Sequence, residues 1–201
     1  MIHGIDISAY QPNCDWAKVA ASGWVQFCYA KATEGANYVS EEFAAQHDGC
    51  KAHGIAFGAY HFWNPGEDPV AQAEHFLATI NGRQGTLLPM VDVEVSDGFT
   101  REELQTRLVS FVQTVEKSLN GKKCIIYSSY AFWNDEMGGY DGLSGHPFWV
   151  AEYNDDDVPT LPNGFTSYAV WQYTDSVSIP GIGNVDGDRL NGSLSLASIS
   201  R

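Results

Sequence analysis

Short apolar or aromatic runs alternate with helix-like segments along most of this chain, and that alternation restricts the architecture more than any other feature. The runs cover residues 3–8, 24–31, 55–62, 87–95, 123–128, 148–153, 168–173 and roughly 184–189. Their β-branched and aromatic content marks them as strands. Between the first five lie helical patterns. The clearest spans 100–119, where Thr100 and Glu103 have capping-box spacing. Leu104, Leu108, Phe111, Val112, Val115 and Leu119 then form one stripe at helical period, and Asn120-Gly121 stops it. Asp68 followed by Pro69 starts another, carrying Ala73, Phe76, Leu77 and Ile80 and ending near Asn81-Gly82. Ser40 is placed to cap a helix running to Gly54, and Asp15 a short one ending at Ser22-Gly23. Residues 129–139 fit either state. After residue 147 the helical pattern stops, and Pro159, Pro162 and Pro180 punctuate strands instead.

Eight strands, with helices after roughly the first five, predict an α/β parallel array. The expected form is an irregular TIM-like barrel of eight strands and about five helices, its late crossovers reduced to loops. A doubly wound open sheet is the competing arrangement. With 201 residues and no linker-like stretch, a single catalytic domain over 1–201 is expected. Eleven Lys and Arg against 25 Asp and Glu give a net charge of −14, which argues against nucleic acid and anionic membrane as partners. No apolar run approaches the roughly 18 residues a membrane span needs. Cys14, Cys28, Cys50 and Cys124 lack CxxC spacing, so zinc or redox chemistry is weakly supported. Cys28, Cys50 and Cys124 read as buried thiols, and Cys14 stays open as a disulfide partner.

The run at 87–95 contains Met90-Val91-Asp92-Val93-Glu94-Val95. Strand side chains alternate, so Asp92 and Glu94 share one face and the valines the other. The valines suit packing under helices, and the carboxylates then point into a barrel near its C-terminal mouth, where barrel enzymes place their chemistry. Asp6 and Ser8 repeat the pattern on the first strand. On the last strand Asp186 and Asp188 share a face, where Asp188 either adds charge or pairs with Arg189. Acids held close together push at least one pKa up, and a carboxyl still protonated near neutrality serves as a general acid. Such a group beside ionised ones can cleave glycosidic bonds. Spacing alone also admits solvated strand-end charge and, less readily, a divalent-cation site. Aromatics at strand ends favour a sugar ligand, since sugar rings stack on flat apolar faces. Tyr60, Phe62, Tyr127, Tyr153, Trp171 and Gln172 are the candidate binding residues.

Six segments in order carry a family resemblance: Gly4-Ile5-Asp6-Ile7-Ser8 with Gln11, Lys31-Ala32-Thr33-Glu34-Gly35, Gly58-Ala59-Tyr60-His61-Phe62, Asp92-Val93-Glu94, Trp149-Val150-Ala151-Glu152-Tyr153 and Trp171-Gln172-Tyr173. Together they resemble glycoside hydrolase family 25, the Chalaropsis-type lysozymes, from about residue 3 to 190. The resemblance implies an eight-stranded irregular barrel that hydrolyses the β-1,4 bond between N-acetylmuramic acid and N-acetylglucosamine in peptidoglycan. It implies Glu94 as general acid, Asp92 assisting, and Asp6 and Asp186 as further site acids. One departure concerns the last motif: members often follow the late Asp with Leu-Asn, whereas this chain reads Asp186-Gly187-Asp188-Arg189.

On this reading Asp92, Asp6 and Asp186 stay ionised and keep Glu94 protonated. The favoured route is retention through the substrate's own 2-acetamido group, with Asp92 orienting its N–H. His61 alternates away from Tyr60 and packs behind the site, and Glu34 anchors a loop. Lys31 fits a counter-ion or an exposed charge equally. Neither a metal nor another cofactor is expected, and the protein is expected to be a monomer whose partner is the bacterial glycan strand. MIHGID does not read as a secretory leader. The expected route to the wall is therefore phage-encoded release by a holin, or secretion with a leader removed. A chitin-type glycosidase is the first rival, but the longer acidic run of family 18 would need acids where Leu88 and Met90 stand. An inactive glycan-binding module is the second, and the presence of Glu94 argues against it.

Overall fold

The computed structural model describes residues 1–201. Nine strands form: β1 (His3–Ile7), β2 (Phe27–Glu34), β3 (Tyr38–Val39), β4 (Ala56–Phe62), β5 (Met90–Asp92), β6 (Ile125–Ser129), β7 (Phe148–Ala151), β8 (Val170–Ile179) and β9 (Gly183–Leu190). Eight of them close a barrel in the order β1, β2, β4, β5, β6, β7, β8, β9 and back to β1. The two-residue β3 is an appendage, pairing antiparallel with the end of β2. Five helices pack outside: α1 (Trp16–Ala21), α2 (Phe43–Ala52), α3 (Pro69–Ile80), α4 (Arg101–Glu116) and α5 (Tyr130–Asp135). The closed barrel of eight strands and five helices matches the architecture read from the sequence, and the open sheet is excluded by the β1–β2 pairing.

The expectation of a wholly parallel array needs one correction. β9 runs antiparallel to both β8 and β1. The cause is the turn at Pro180-Gly181-Ile182, closed by the Ile182 amide donating to Ile179 O at 3.1 Å, with Gly181 at φ +96° and Gly183 at φ +106°. Such angles are strained for any residue with a Cβ. The chain therefore re-enters the barrel from the mouth, and the β8–β9 ribbon extends past the barrel rim.

Local signals decide the helix starts. Asp15 accepts from the Lys18 amide, Asp68 from the Ala71 amide at 2.7 Å with Pro69 at the first position, and Thr100 and Glu103 complete their capping box. The ambiguous stretch at 129–139 yields α5, capped by the Ser129 hydroxyl at the Phe132 amide. Ser40 departs from expectation: α2 starts three residues later, and the buried Ser40 hydroxyl makes no cap bond. β5 is shorter than its apolar run. Pro89 lacks an N–H for the ladder, and the segment before it instead meets the C-terminal tail, where Leu88 N donates to Ile199 O at 2.8 Å.

Strand alternation divides the apolar residues into two cores. Outward faces pack beneath the helices, with Ile5, Ile7, Cys28, Val91, Val93, Ile126, Val150 and Val185 meeting Phe76, Leu104, Leu108 and Phe111. Inward faces fill the barrel with Phe27, Tyr29, Met90, Ile125, Trp149, Val170 and Leu190. Trp149 is the hub of this floor, edge-on to Tyr29 at 5.0 Å, Tyr127 at 6.0 Å and Phe27 at 6.2 Å. Gly4 makes the floor possible, because a Cβ there would lie 2.2 Å from the Phe27 ring. All four cysteines are free thiols, with Cys28, Cys50 and Cys124 buried.

Candidate active site

Above the aromatic floor, at the C-terminal ends of the parallel strands, lies a hollow of about 290 Å³. Its lining includes Asp6 from β1, Asp92 and Glu94 from β5 and the segment after it, and Asp186 from β9, with Tyr60, Phe62, Tyr127, Tyr153 and Gln172. Nine of the ten residues expected from the sequence thus converge. Trp171 does not. It faces the outer core at 2% exposure, its indole N–H donates to Glu152 O at 2.7 Å, and Arg189 covers its ring. Alternation along β8 requires this, since Gln172 points inward. A larger hollow of about 530 Å³ sits at the opposite end of the barrel around Lys51, Phe57 and Gly85 and contains no carboxylate.

Gln172 organises the hollow. Its Oε1 accepts from Tyr127 Oη at 3.0 Å and Tyr153 Oη at 2.8 Å, while its Nε2 donates to Asp6 Oδ2 at 2.8 Å. Two phenols thus fix the amide's orientation, and the amide fixes Asp6. Asp186 lies directly across the β1–β9 ladder from Asp6. Asp188, one pleat further down β9, is opposite Gly4 and fully buried. The pairing of Asp188 with Arg189 is not formed. Arg189 alternates to the outer face, with its guanidinium 3.8 Å from the Tyr173 ring centre.

Lys31 is the cation of the hollow. A bulge between Lys31 and Thr33 shifts the β2–β4 register, so that Lys31 faces the cleft while Thr33 Oγ1 bonds His61 Nδ1 at 2.7 Å behind it. The ammonium pairs with Glu34 and lies 4.5 Å from the Phe62 ring centre. His61 is buried against Phe111, and burial drives its pKa down to about 3, as a packed neutral imidazole requires. Ser8, read from the sequence as facing the same way as Asp6, lines the hollow too, as do Tyr10 and Met90, which were not read as site residues. Ser8 shares the parity of Asp6 on β1. Tyr10 sits in the turn beyond the strand, where alternation carries no information.

Every acid of the cluster is shifted upward. Burial is the leading cause at Asp92, which stands well above the carboxylate range, with Glu94 and Asp6 adding repulsion. Burial also raises Glu94, the Tyr127 hydroxyl beside it opposes, and Asp6 adds to the rise. Asp186 is pushed up to about 8 by burial and by Asp6. Asp6 is raised by burial, while hydrogen bonds from Gln172, Asp188 and Asp186 hold it back. The upward shift is thus shared by all four acids rather than confined to Glu94. Desolvation over the aromatic floor is the leading cause at each acid, and repulsion from neighbouring carboxyls adds to it at Asp92, Glu94 and Asp186.

The model of the glycosyl hydrolases family 25 matches residues 5–182. The chain belongs to this family. Among similar family 25 proteins, lysozyme M1 of Streptomyces globisporus is 33% identical, over 96% of this chain and 71% of its own length. The N,O-diacetylmuramidase of Chalaropsis sp. is 30% identical over 96% of this chain and 95% of its own. The crystal structure of a lysozyme from Streptomyces coelicolor superposes with a TM-score of 0.87 at 30% identity, covering 98% of this chain and 94% of that one. As a family 25 member the chain is a glycoside hydrolase. Asp186 and Asp188 lie just beyond the matched segment, on the strand that closes the barrel.

Proposed function

We propose that the protein is a lysozyme that cleaves the β-1,4 bond between N-acetylmuramic acid and N-acetylglucosamine, with Glu94 as general acid and Asp92 assisting. The observation that carries this reading is the pairing of the two carboxyls: Asp92 is buried under the mouth, while Glu94 sits at its open edge with a raised pKa. Asp92 Oδ1 has no hydrogen-bond partner. A buried carboxyl oxygen without a donor is costly, and a substrate acetamido N–H supplies one. Donation to Asp92 favours its ionised form. In a coupled pair the proton then resides on Glu94, beside the leaving oxygen that needs it. The acetamido oxygen attacks the anomeric carbon as Glu94 protonates the departing oxygen, and water later opens the resulting cyclic intermediate with net retention. Asp6 adds negative potential below the developing positive charge, and Asp186, pushed up to about 8, adds its own only as it ionises.

The cleft continues past Lys31 into a second hollow of about 310 Å³ bounded by Ser8, Tyr10, Glu34 and Tyr38. Tyr10 is 92% exposed and Tyr38 45%, so both offer ring faces to further sugars of a glycan strand. The protein works as a monomer, with the whole cleft supplied by one chain.

Purified cell walls provide the test. Wild type clears turbidity, and Glu94→Gln clears at least about 100-fold more slowly, the usual contribution of a general acid. Mass spectrometry of the digest shows N-acetylmuramic acid at the new reducing ends. N-acetylglucosamine there overturns the bond assignment. NMR of the first-formed product shows the β-anomer, and the α-anomer excludes retention.

A further inference from the structure

Asp188 has no role in the reaction described so far, yet it is the most deeply buried acid of the chain. Its exposure is 0%, and neither carboxyl oxygen receives a hydrogen bond from any donor in ordinary geometry. Its neighbours are Asp6 on β1, Asp186 on its own strand, and the Trp149 indole on β7, whose N–H faces it without closing an ordinary bond. No cation answers it: Arg189 points to the outer face, and Lys31 is paired with Glu34 at the mouth. An isolated buried carboxylate costs several kcal/mol, and the group avoids this by keeping its proton.

Asp188 stands diagonally across the β1–β9 ladder from Asp6 and on the same inward face, which sets the two carboxyls side by side. Two carboxyls can bond only if one carries a hydrogen. Asp6 already accepts from Gln172 Nε2 at 2.8 Å and borders the hollow, whereas Asp188 is fully buried and receives no hydrogen bond. The hydrogen therefore belongs on Asp188.

We propose that Asp188 is a resident protonated carboxylic acid that donates to Asp6 from below and, with Gln172 from the side, holds Asp6 as the anion facing the cleft. Asp188 is a positioning residue: it touches no substrate and acts through Asp6. Burial raises Asp188 well above the carboxylate range, and its bond to Asp6 pulls Asp6 the other way, in keeping with a proton on the lower group. This deepens the lysozyme reading and rests on it.

Asp188→Leu removes the donor at similar volume, and Asp188→Asn keeps a neutral donor. In wall-clearing assays Asp188→Leu is expected to lose about 10-fold or more in kcat, with its acid limb moved up by about one pH unit because Asp6 then ionises less readily. Asp188→Asn is expected to restore kcat to within about threefold of wild type and to return the acid limb. A readout independent of activity is the infrared difference spectrum, wild type minus Asp188→Asn, at pH 7. It should contain the carbonyl stretch of a protonated carboxylic acid, and this stretch should persist to pH 8. If Asp188→Asn is as slow as Glu94→Gln, or if the difference spectrum contains carboxylate bands instead, the proposal is overturned. If Asp188→Leu folds and keeps the wild-type acid limb, the link to Asp6 is overturned. Inactivity of the wild type itself would sink the lysozyme reading and leave the infrared result standing.

Discussion

At the scale of single residues, the site's chemistry follows from placing acids over an aromatic floor. Desolvation raises carboxyl pKa values, and a raised value is also a statement about stability. A carboxyl that holds its proton more tightly when folded stabilises the fold below its unfolded value near 4, and that contribution is lost as pH rises through the folded value. For Asp186 the loss extends to about pH 8. Asp186→Asn should therefore melt above wild type at pH 8 and level with it at pH 4. Solvent screening at this half-open position limits the gain to roughly 1–2 kcal/mol, about 3–6 °C. Thermal melts at the two pH values check this. An equal shift at both would mean a packing effect rather than a titration. Trp171 offers a contrast. Because its ring lies in the outer core, Trp171→Phe should lower the melting temperature while leaving KM for glycan strands unchanged.

At the scale of elements, much was legible because the determining information was local. Asp68-Pro69 and Thr100 with Glu103 specify helix starts within four residues, and the structure realises both caps. Asp92 and Glu94 declare a common face by alternation alone. The misplacement of Trp171 was avoidable on the same rule: adjacent residues of one strand cannot both face the cleft, and Gln172 was already assigned there. The direction of β9 was harder to read, because it depends on whether Pro180-Gly181 closes a tight turn or opens a crossover. Ser40 failed as a cap because residues 41 and 42 form a turn before α2, closed by the Phe43 amide donating to Ser40 O at 3.2 Å. Thr100→Ala should cost about 1 kcal/mol of stability, measured by denaturant unfolding, through loss of the α4 cap. Tyr10→Ala, in the turn after β1, should raise KM several-fold for long glycan strands and little for short fragments, since its ring lies in the outer hollow away from Glu94.

For the whole molecule, the acid cluster and His61 pull the pH dependence of stability in opposite directions. His61 has a lowered pKa, so its neutral form stabilises the fold above about pH 6.5, and that contribution is lost as pH falls toward 3. The loss is on the order of 3 kcal/mol by pH 4. Denaturant unfolding at pH 7 and pH 4 should show it, with a flatter slope in His61→Gln. Net charge acts at this scale too. A chain of −14 meets a wall rich in anionic polymers, so moderate salt should speed clearing by screening over about 8–10 Å.

The pairing of β1 with β9 has a consequence for biosynthesis. Asp6 is translated long before its neighbours Asp186 and Asp188, and the segment around Ile199 fastens beside Leu88 later still. A growing polypeptide on the ribosome therefore has Glu94 and Asp92 without an enclosed pocket to desolvate them. Hydrolytic competence therefore waits on β9, so a fragment ending at residue 182 should cut nothing.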